Sequence, residues 1–267
     1  MSEFEIQTLP PQTVLSRVTP LVGSGGAVIV AYDITEMRRL ETMRRDFVAN
    51  VSHELRTPVS VIRANAETLL DGALEDEKRA RSFVQAVFRN SERLSHLIAD
   101  LLDLSRIEAG HYEVMQSPID LKQTAGRVAD SVKHKLELKE MSLEVLVEAR
   151  LQVLGDAQAL EQVLINLVEN GIKYTPNSGT LKLRATELSQ KVRIEVQDDG
   201  PGIPPEHRPR LFERFYRVDP GRSKEMGGTG LGLAIVKHLV GAMGGEVGME
   251  PVEPHGSNFW VELPKVS

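Results

Sequence analysis

The feature that most constrains the fold is a pair of long helical stretches between residues 36 and 108. The first begins near Glu36 and ends at Asp71-Gly72, with a kink expected at Pro58, which lacks a backbone donor. The second runs from about Asp76 to Glu108 and carries a near-heptad apolar stripe. Such a hairpin alone exposes a wide apolar face, so two copies are predicted to pair as a four-helix bundle, which makes the chain a homodimer. The stripe consists of Val87, Leu94, Leu97, Ile98, Leu101 and Leu104.

Strand-rich segments lie on both sides of these helices. Residues 1–35 contain three β-rich runs, too few for an independent domain, and are interpreted as the tail of a larger sheet domain. Asp33 or Thr35 is expected to cap the helix that follows. From about Ser117, helical segments alternate with strands that are expected to pair in antiparallel orientation. This order predicts an α+β sandwich, in which helices cover one face of a sheet.

Composition excludes several classes of protein. The chain has 267 residues, 41% hydrophobic and 26% charged, which is typical of globular domains. Its net charge of −6 argues against nucleic-acid binding. The absence of cysteine excludes disulfides and thiolate metal sites. No apolar run approaches the ~18 residues of a membrane span. The lack of cysteine is compatible with the cytoplasm, which is the expected location.

A histidine on the first long helix has neighbours suited to catalysis. Val51 and Leu55 belong to the apolar side, and His53 lies roughly 200° from either, so it is expected to face solvent. Glu54 is adjacent and Thr57 follows one turn later. An exposed imidazole beside a carboxylate can act as a nucleophile with its base at hand. The alternative, from this segment alone, is an ordinary surface histidine.

Another predicted helix, residues 156–173 with Asp156 as its cap, carries polar side chains in one line. Asn166, Asn170 and Lys173 follow i, i+4, i+7 spacing, away from the apolar stripe. An amide oxygen can join a Mg²⁺ shell, and an ammonium group can neutralise phosphate charge. The alternative is that Asn170-Gly171 is a turn that closes the helix.

Two glycine motifs follow this helix. DDGPGI ends a strand, and the Asp198 carboxylate within it could accept a hydrogen bond from the amino group of adenine. GGTGLGL, residues 227–233, opens into a helix, which is typical of an anion site, although it matches neither the P-loop nor the Rossmann pattern. LFERFYRVDPGRSKEM, residues 211–226, lies between them and suggests a hinge and lid. The alternatives are a surface loop and, for Phe212 and Phe215, core packing.

The motifs together resemble those of sensor histidine kinases of two-component systems. SHELRTP resembles the phosphoacceptor box, NLVENGIKYTP the asparagine box, LFERFYR the phenylalanine box, and DDGPGI and GGTGLGLAIV the two glycine boxes. They occur in the family's order over residues 36–265. AVIVAYDITEMRRLE, ending the strand-rich segment, resembles the last strand of a PAS sensor domain and its signalling helix. The nearest subgroup resembles the phosphate-responsive PhoR-type kinases.

The resemblance implies three regions. Residues 1–35 would be a PAS-like remnant, residues 36–112 a dimerisation and histidine phosphotransfer (HisKA) domain, and residues 117–267 a Bergerat-type (GHKL) ATP-binding α/β sandwich (HATPase_c). The two larger domains would swing about a linker near residues 110–118. Membrane attachment would come only through a region absent from this chain.

The resemblance also implies a role for each matching residue. His53 would accept the phosphoryl group, Glu54 would withdraw its proton, and Thr57 would orient water in a phosphatase reaction. Asn170 would hold Mg²⁺ and Asp198 would read adenine. The other residues implied to contact ATP are Asn166, Lys173, Tyr174, Gly200, Gly202, Arg217, Gly228, Gly230 and Gly232. Gly171 replaces the family's usual alanine, and Ser257 stands where threonine is commoner.

The implied activity is autophosphorylation of His53 from MgATP, followed by transfer to an aspartate in the receiver domain of a response regulator. Three alternatives stay open at this point. The chain could be a scaffold that binds ATP without transferring phosphate, or an ATPase of the gyrase and chaperone type using Glu169, next to the catalytic acid's position. Phosphatase activity toward the regulator, involving Thr57, could also dominate.

Overall fold

The computed structural model describes residues 2–6, 11–20, 26–108, 114–219 and 228–266. The chain divides into two compact units, residues 1–57 and 58–267. The first part of the expected linker and the last part of the expected lid lie outside the described residues.

The first unit contains the predicted three strands, which form an antiparallel sheet in the order β1-β2-β3. The Asp33 carboxylate accepts hydrogen bonds from both the backbone N–H and the hydroxyl of Thr35, the first residue of α1. These hydrogen bonds lower the pKa of Asp33. Asp33 therefore stabilises the start of the helix, as predicted. The elements are β1 (Ser2–Ile6), β2 (Gln12–Pro20), β3 (Ala27–Asp33) and α1 (Thr35–Leu70).

The two long helices have nearly the predicted bounds. The first, α1, continues through Pro58 and ends at Leu70, and the kink expected at the proline stays a prediction. Gly72, with φ 113°, then reverses the chain in a conformation that glycine favours. The second, α2 (Glu77–Glu108), is capped by Asp76, whose carboxylate accepts from two backbone N–H groups. No helix among the described residues is long and apolar enough to cross a membrane.

The C-terminal sheet is mixed, which corrects the antiparallel expectation. Its strand order is β5-β7-β8-β10-β9, and β5 pairs with β7 in parallel while the other pairs are antiparallel. Parallel strands need a crossover connection, and α4 lies between β5 and β7 in the chain. The strands are β5 (Ser142–Leu146), β7 (Thr180–Glu187), β8 (Lys191–Asp198), β9 (Glu246–Pro251) and β10 (Ser257–Pro264); β4 (Ser117–Asp120) and β6 (Gln152–Gly155) form a separate pair.

Helices cover one face of this sheet, as predicted. Burial alternates along β8 and β10, so every second side chain enters the core and the others point away from it. The central helix packs against both of its neighbours, and its apolar stripe of Leu160, Leu164, Leu167 and Val168 is fully buried. The three helices are α3 (Leu121–Leu138), α4 (Ala157–Tyr174) and α5 (Gly232–Ala242).

The apolar stripe of α2 is partly covered within one chain, so its expected exposure in a monomer is wrong. The reason is that α2 packs against α5, and Leu97 and Leu104 are each only 1% exposed. A second stripe of α2, which shares Ile98 with the first, is open to solvent. The members of this stripe fall within about 80° of the helix circumference. They are Val84, Phe88, Ile98 and Leu102.

Candidate active site

The predicted nucleophile has the expected exposure. His53 lies in the middle of α1 with its side chain exposed, and Glu54 beside it is half-buried. The exposed Thr57 donates its hydroxyl hydrogen bond to the carbonyl oxygen of His53, at 3.2 Å. Because a hydroxyl oxygen has two lone pairs, this bond leaves Thr57 able to accept one from water.

The asparagine-bearing helix is longer than its turn-like sequence suggests. Asp156 caps α4 by accepting from the N–H groups of Gln158 and Ala159, as predicted. The helix then continues through Asn170 and Gly171 to Tyr174, so the alternative of a turn at Asn170-Gly171 is wrong. Asn166, Asn170 and Lys173 are half-buried, apart from the core stripe, and Tyr174 is exposed.

Gly171 allows α4 to lie close to the sheet. A Cβ atom at this position would be 2.7 Å from Cδ2 of Leu181 on β7, and Leu181 is fully buried. Glycine has about 1 kcal/mol less favourable helix propensity than alanine. At this position its missing side chain allows a close contact between helix and sheet.

A lysine outside the predicted set holds the C-terminal end of α4. Lys139 Nζ donates to the carbonyl oxygens of Ile172, Lys173 and Thr175, at 2.7, 3.1 and 2.9 Å. The last carbonyls of a helix have no partner within it, and a cation there also complements the helix dipole. Lys139 thus fixes the end of the helix that carries the polar line.

The acid considered for an ATPase reaction is engaged elsewhere. Glu169 pairs with Lys135 of α3 at 2.5 Å, on the side of α4 that faces another helix. About two turns earlier on both helices, Arg127 of α3 makes a similar ion pair with Glu161 of α4. Glu169 therefore belongs to a contact between α3 and α4, which argues against its use as a base for water.

Asp198 is held at the end of β8 with its carboxylate buried. Its Oδ1 atom accepts from the N–H groups of Gly200 at 2.9 Å and Ser257 at 3.2 Å. Burial raises the pKa of Asp198, and these two hydrogen bonds oppose the rise. Serine at position 257 serves through its backbone, so the absence of threonine removes no group from this interaction.

Two of the predicted glycines have backbone conformations or contacts that exclude other residues. Gly202 has φ 74°, and a Cβ there would lie 3.2 Å from the carbonyl oxygen of Gly256. Gly230 has φ 75°, and a Cβ there would lie 2.8 Å from Cα of Phe215. Gly230 also accepts a hydrogen bond from the N–H of Phe215. The second glycine motif is thereby joined to the segment before the expected lid.

The structure brings the asparagine helix and both glycine motifs together. A Cβ at Gly232 would lie 3.3 Å from Oδ1 of Asn166, and one at Gly200 would lie 3.3 Å from Oγ1 of Thr175. Within the described parts of the chain, Nδ2 of Asn166 and Oγ1 of Thr175 are buried without a hydrogen-bond partner. Buried polar atoms are almost always paired, so each of these atoms is available to a ligand or a water molecule.

Cations gather on the side of the second glycine motif. Arg217 donates to the carbonyl oxygen of Gly228. Burial, followed by the positive charges of Arg217 and Arg93, lowers the pKa of Lys173 to about 8. A bound anion would relieve this repulsion, so the cluster suits a phosphate-bearing ligand.

The expected lid segment is partly core. Phe212 packs edge-on against Phe259, with ring centroids 6.4 Å apart, which favours the alternative of core packing for this residue. Sequence reasoning missed Thr175, Thr229 and Lys139. The first two lie inside quoted motifs, whereas Lys139 carries no local signal because its acceptors are 33 to 36 residues away.

Two family models match the chain. Residues 43–110 match the His Kinase A (phospho-acceptor) domain, and residues 155–267 match the histidine kinase-, DNA gyrase B- and HSP90-like ATPase domain. Among curated relatives, sensor histidine kinase WalK of Bacillus subtilis is 36% identical over 90% of this chain and 39% of its own length. Phosphate regulon sensor protein PhoR of Pseudomonas aeruginosa is 37% identical over 90% of this chain and 54% of its own length.

Solved structures show the same relationship. Full-length ShkA in complex with AMPPNP is 30% identical and aligns with a TM-score of 0.62, over 83% of this chain and 46% of that one. The chain spans about half the length of the curated relatives it matches. With both family models matching in succession and the five motifs in order, the chain belongs to the sensor histidine kinases of two-component systems.

Proposed function

We propose that this chain is an ATP-dependent protein-histidine kinase that phosphorylates its own His53. A ring nitrogen of His53 bonds to the γ-phosphorus of ATP while the bond from that phosphorus to the bridging oxygen breaks and ADP leaves. Glu54 withdraws the proton of the imidazole. The observation that carries the proposal is the exposed His53 beside the half-buried Glu54 on a continuous helix. The same chain has buried polar atoms without a hydrogen-bond partner between its asparagine helix and glycine motifs.

The nucleotide would lie among the residues that α4, β8 and α5 bring together. Because Oδ1 of Asp198 serves two backbone donors, the adenine amine falls to Oδ2. Gly200 and Gly202 leave room for the ring, and Thr175 supplies a hydroxyl there. The phosphates would meet the remaining predicted contacts, which are Asn166, Lys173, Tyr174, Arg217, Gly228, Gly230 and Gly232.

Asn170 would hold Mg²⁺ through its amide oxygen. The described residues contain no group of three His, Asp or Glu side chains placed to bind a metal. The other ligands would therefore be phosphate oxygens and water, which Mg²⁺ commonly retains. The ion would neutralise charge on the phosphates, while Asn170 itself orients it.

The phosphoryl group on His53 would pass to an aspartate in the receiver domain of a response regulator. The transfer breaks the bond from phosphorus to the imidazole nitrogen and forms one to a carboxylate oxygen. The proposed layout is a PAS-like remnant at residues 1–35, a phosphotransfer domain at 36–112 and a catalytic domain at 117–267. The family relationship supports this signalling role.

Incubation with γ-labelled ATP and Mg²⁺ tests the proposal. Label should stay on the protein through alkali and be lost in acid, because phosphohistidine is acid-labile and alkali-stable. Release of labelled phosphate without labelled protein would instead favour an ATPase, and ATP binding without either would favour a scaffold. The Lys135–Glu169 ion pair makes the ATPase outcome the less expected one.

We expect a homodimer in solution through the exposed face of the hairpin. The stripe of Val84, Phe88, Ile98 and Leu102 on α2 faces solvent in one chain, and burying it against a second copy is favourable at about 25 cal/mol per Å² of apolar surface. Phe88→Glu should shift the light-scattering mass from dimer toward monomer. Gln85→Glu, which adds the same charge on a neighbouring exposed position, should stay dimeric, and equal masses for both variants would contradict this interface.

Thr57→Ala should lower the phosphatase activity toward the regulator and leave autophosphorylation of His53 unchanged. Among the described residues, the Thr57 hydroxyl donates to the backbone carbonyl oxygen of His53, and the proposal gives it no part in the attack on ATP. The variant should therefore label normally, while phosphorylated regulator should decay more slowly in its presence. Thr57→Ser, which keeps the hydroxyl, is the control. An equal fall in labelling and decay would make Thr57 a structural residue.

A further inference from the structure

A carboxylate of the phosphotransfer hairpin contacts the second glycine motif. Asp100 of α2 accepts a hydrogen bond from the hydroxyl of Thr229 at 2.8 Å, across 129 residues of sequence. The same Thr229 oxygen accepts from the N–H of Leu231 at 3.2 Å. Asp100 thus approaches the loop that opens α5, where backbone N–H groups and the helix dipole favour an anion.

Two further contacts fix α2 in this position. Leu97 and Leu104, on the turns before and after Asp100, are buried, and α2 packs against α5. Asp103 accepts a hydrogen bond from Nε2 of Gln162 on α4 at 2.8 Å. Asp100 is therefore held at the loop by packing and not by its own hydrogen bond alone.

The electrostatic surroundings place Asp100 on the phosphate side of the site. Arg93, also on α2, is close enough to Lys173 for its charge to lower the pKa of that lysine. The charge of Glu169 on α4 likewise reaches Asp100, whose pKa is raised chiefly by burial. Lys173 and the 228–232 loop are the groups assigned to the phosphates above, so α2 lies beside both.

We propose that Asp100 is a built-in competitor for the triphosphate: with α2 docked, its carboxylate occupies the anion-favouring mouth of the glycine loop and weakens ATP binding. This inference rests on the proposed nucleotide site and adds a regulatory residue to it. The coupling is reciprocal. If docking of Asp100 weakens ATP binding, bound ATP must weaken the docking of α2 by the same factor, which would free the catalytic domain.

Substitution of the charge alone tests the proposal. Asp100→Asn keeps an oxygen that can accept from Thr229 and removes the negative charge. In calorimetric titrations of the whole chain, this variant should bind MgATP roughly fivefold or more tightly than the unaltered protein. Affinity for adenosine, which has no phosphate, should not change.

Asp103→Asn is the matched control, because it removes the same charge from the same helix and keeps an oxygen that can accept from Gln162, so the position of α2 is retained. Its MgATP affinity should equal that of the unaltered protein. Equal effects of the two variants, no effect of Asp100→Asn, or an equal gain for adenosine would each overturn the proposal. If the unaltered protein binds ATP normally in such a case, the proposed kinase function still stands; failure of the unaltered protein to bind ATP would overturn both.

Discussion

His53→Ala is expected to abolish autophosphorylation while leaving the fold and ATP binding intact. The imidazole is the proposed acceptor, so its removal leaves no nitrogen to bond the γ-phosphorus. Its side chain is exposed on a continuous helix, and alanine has the highest helix propensity, so the substitution should not weaken α1. Acid-labile label on the protein, followed over time with γ-labelled ATP, is the measurement.

His134→Ala is the matched control for this result. His134 is also an exposed histidine on a helix, in α3, and its loss should leave labelling unchanged. Circular dichroism and ATP titration of both variants separate loss of chemistry from loss of structure. Label that persists on the His53→Ala protein would mean that another residue accepts the phosphoryl group.

Asn170→Ala should have the second largest effect, a loss of roughly 100-fold or more in labelling rate. Charge stabilisation by a catalytic metal is worth several kcal/mol, and each 1.36 kcal/mol is tenfold in rate. The helix continues beyond Asn170 to Tyr174, so the loss would not come from a missing helix terminus. Labelling rates over a range of Mg²⁺ concentrations should show a raised Mg²⁺ requirement as well.

Asn177→Ala is the control, since Asn177 is an exposed asparagine just beyond the same helix. It should label at the normal rate. Asn170→Asp should also lose activity, because a full negative charge replaces an amide oxygen beside the phosphates. Normal turnover by the Asn170→Ala protein would reduce this residue to a structural role.

Local signals in the sequence predicted most of the elements. Asp156 and Asp76 were expected at the starts of α4 and α2, and their carboxylates cap those helices. The stripe of α4 was recognised because four apolar residues recur at helical spacing and nothing in the surroundings overrides that pattern. Exposure of His53 followed from the same reasoning, since Val51 and Leu55, on the other side of α1, are half-buried.

Contacts between distant segments could not be predicted in this way. The parallel pairing of β5 with β7 depends on α4 crossing between them, and strand composition carries no record of direction. The apolar stripe of α2 was assigned to a second copy, whereas Leu97 and Leu104 are buried within a single chain, in which α2 also packs against α5. An apolar face shows that something covers it and does not show what. The Asp100–Thr229 contact likewise joins residues that are 129 positions apart, so no local pattern in the sequence predicts it.

The close approach at Gly171 limits how parts of this kinase can be exchanged with others. The missing side chain and the Leu181 side chain fill one space between α4 and β7. A chimera that imports the alanine-bearing helix of another kinase would bring a methyl group 2.7 Å from Leu181, and its gain in helix propensity would be offset by strain in the core. A chimera should therefore exchange α4 and β7 together, so that the residues at positions 171 and 181 come from the same protein.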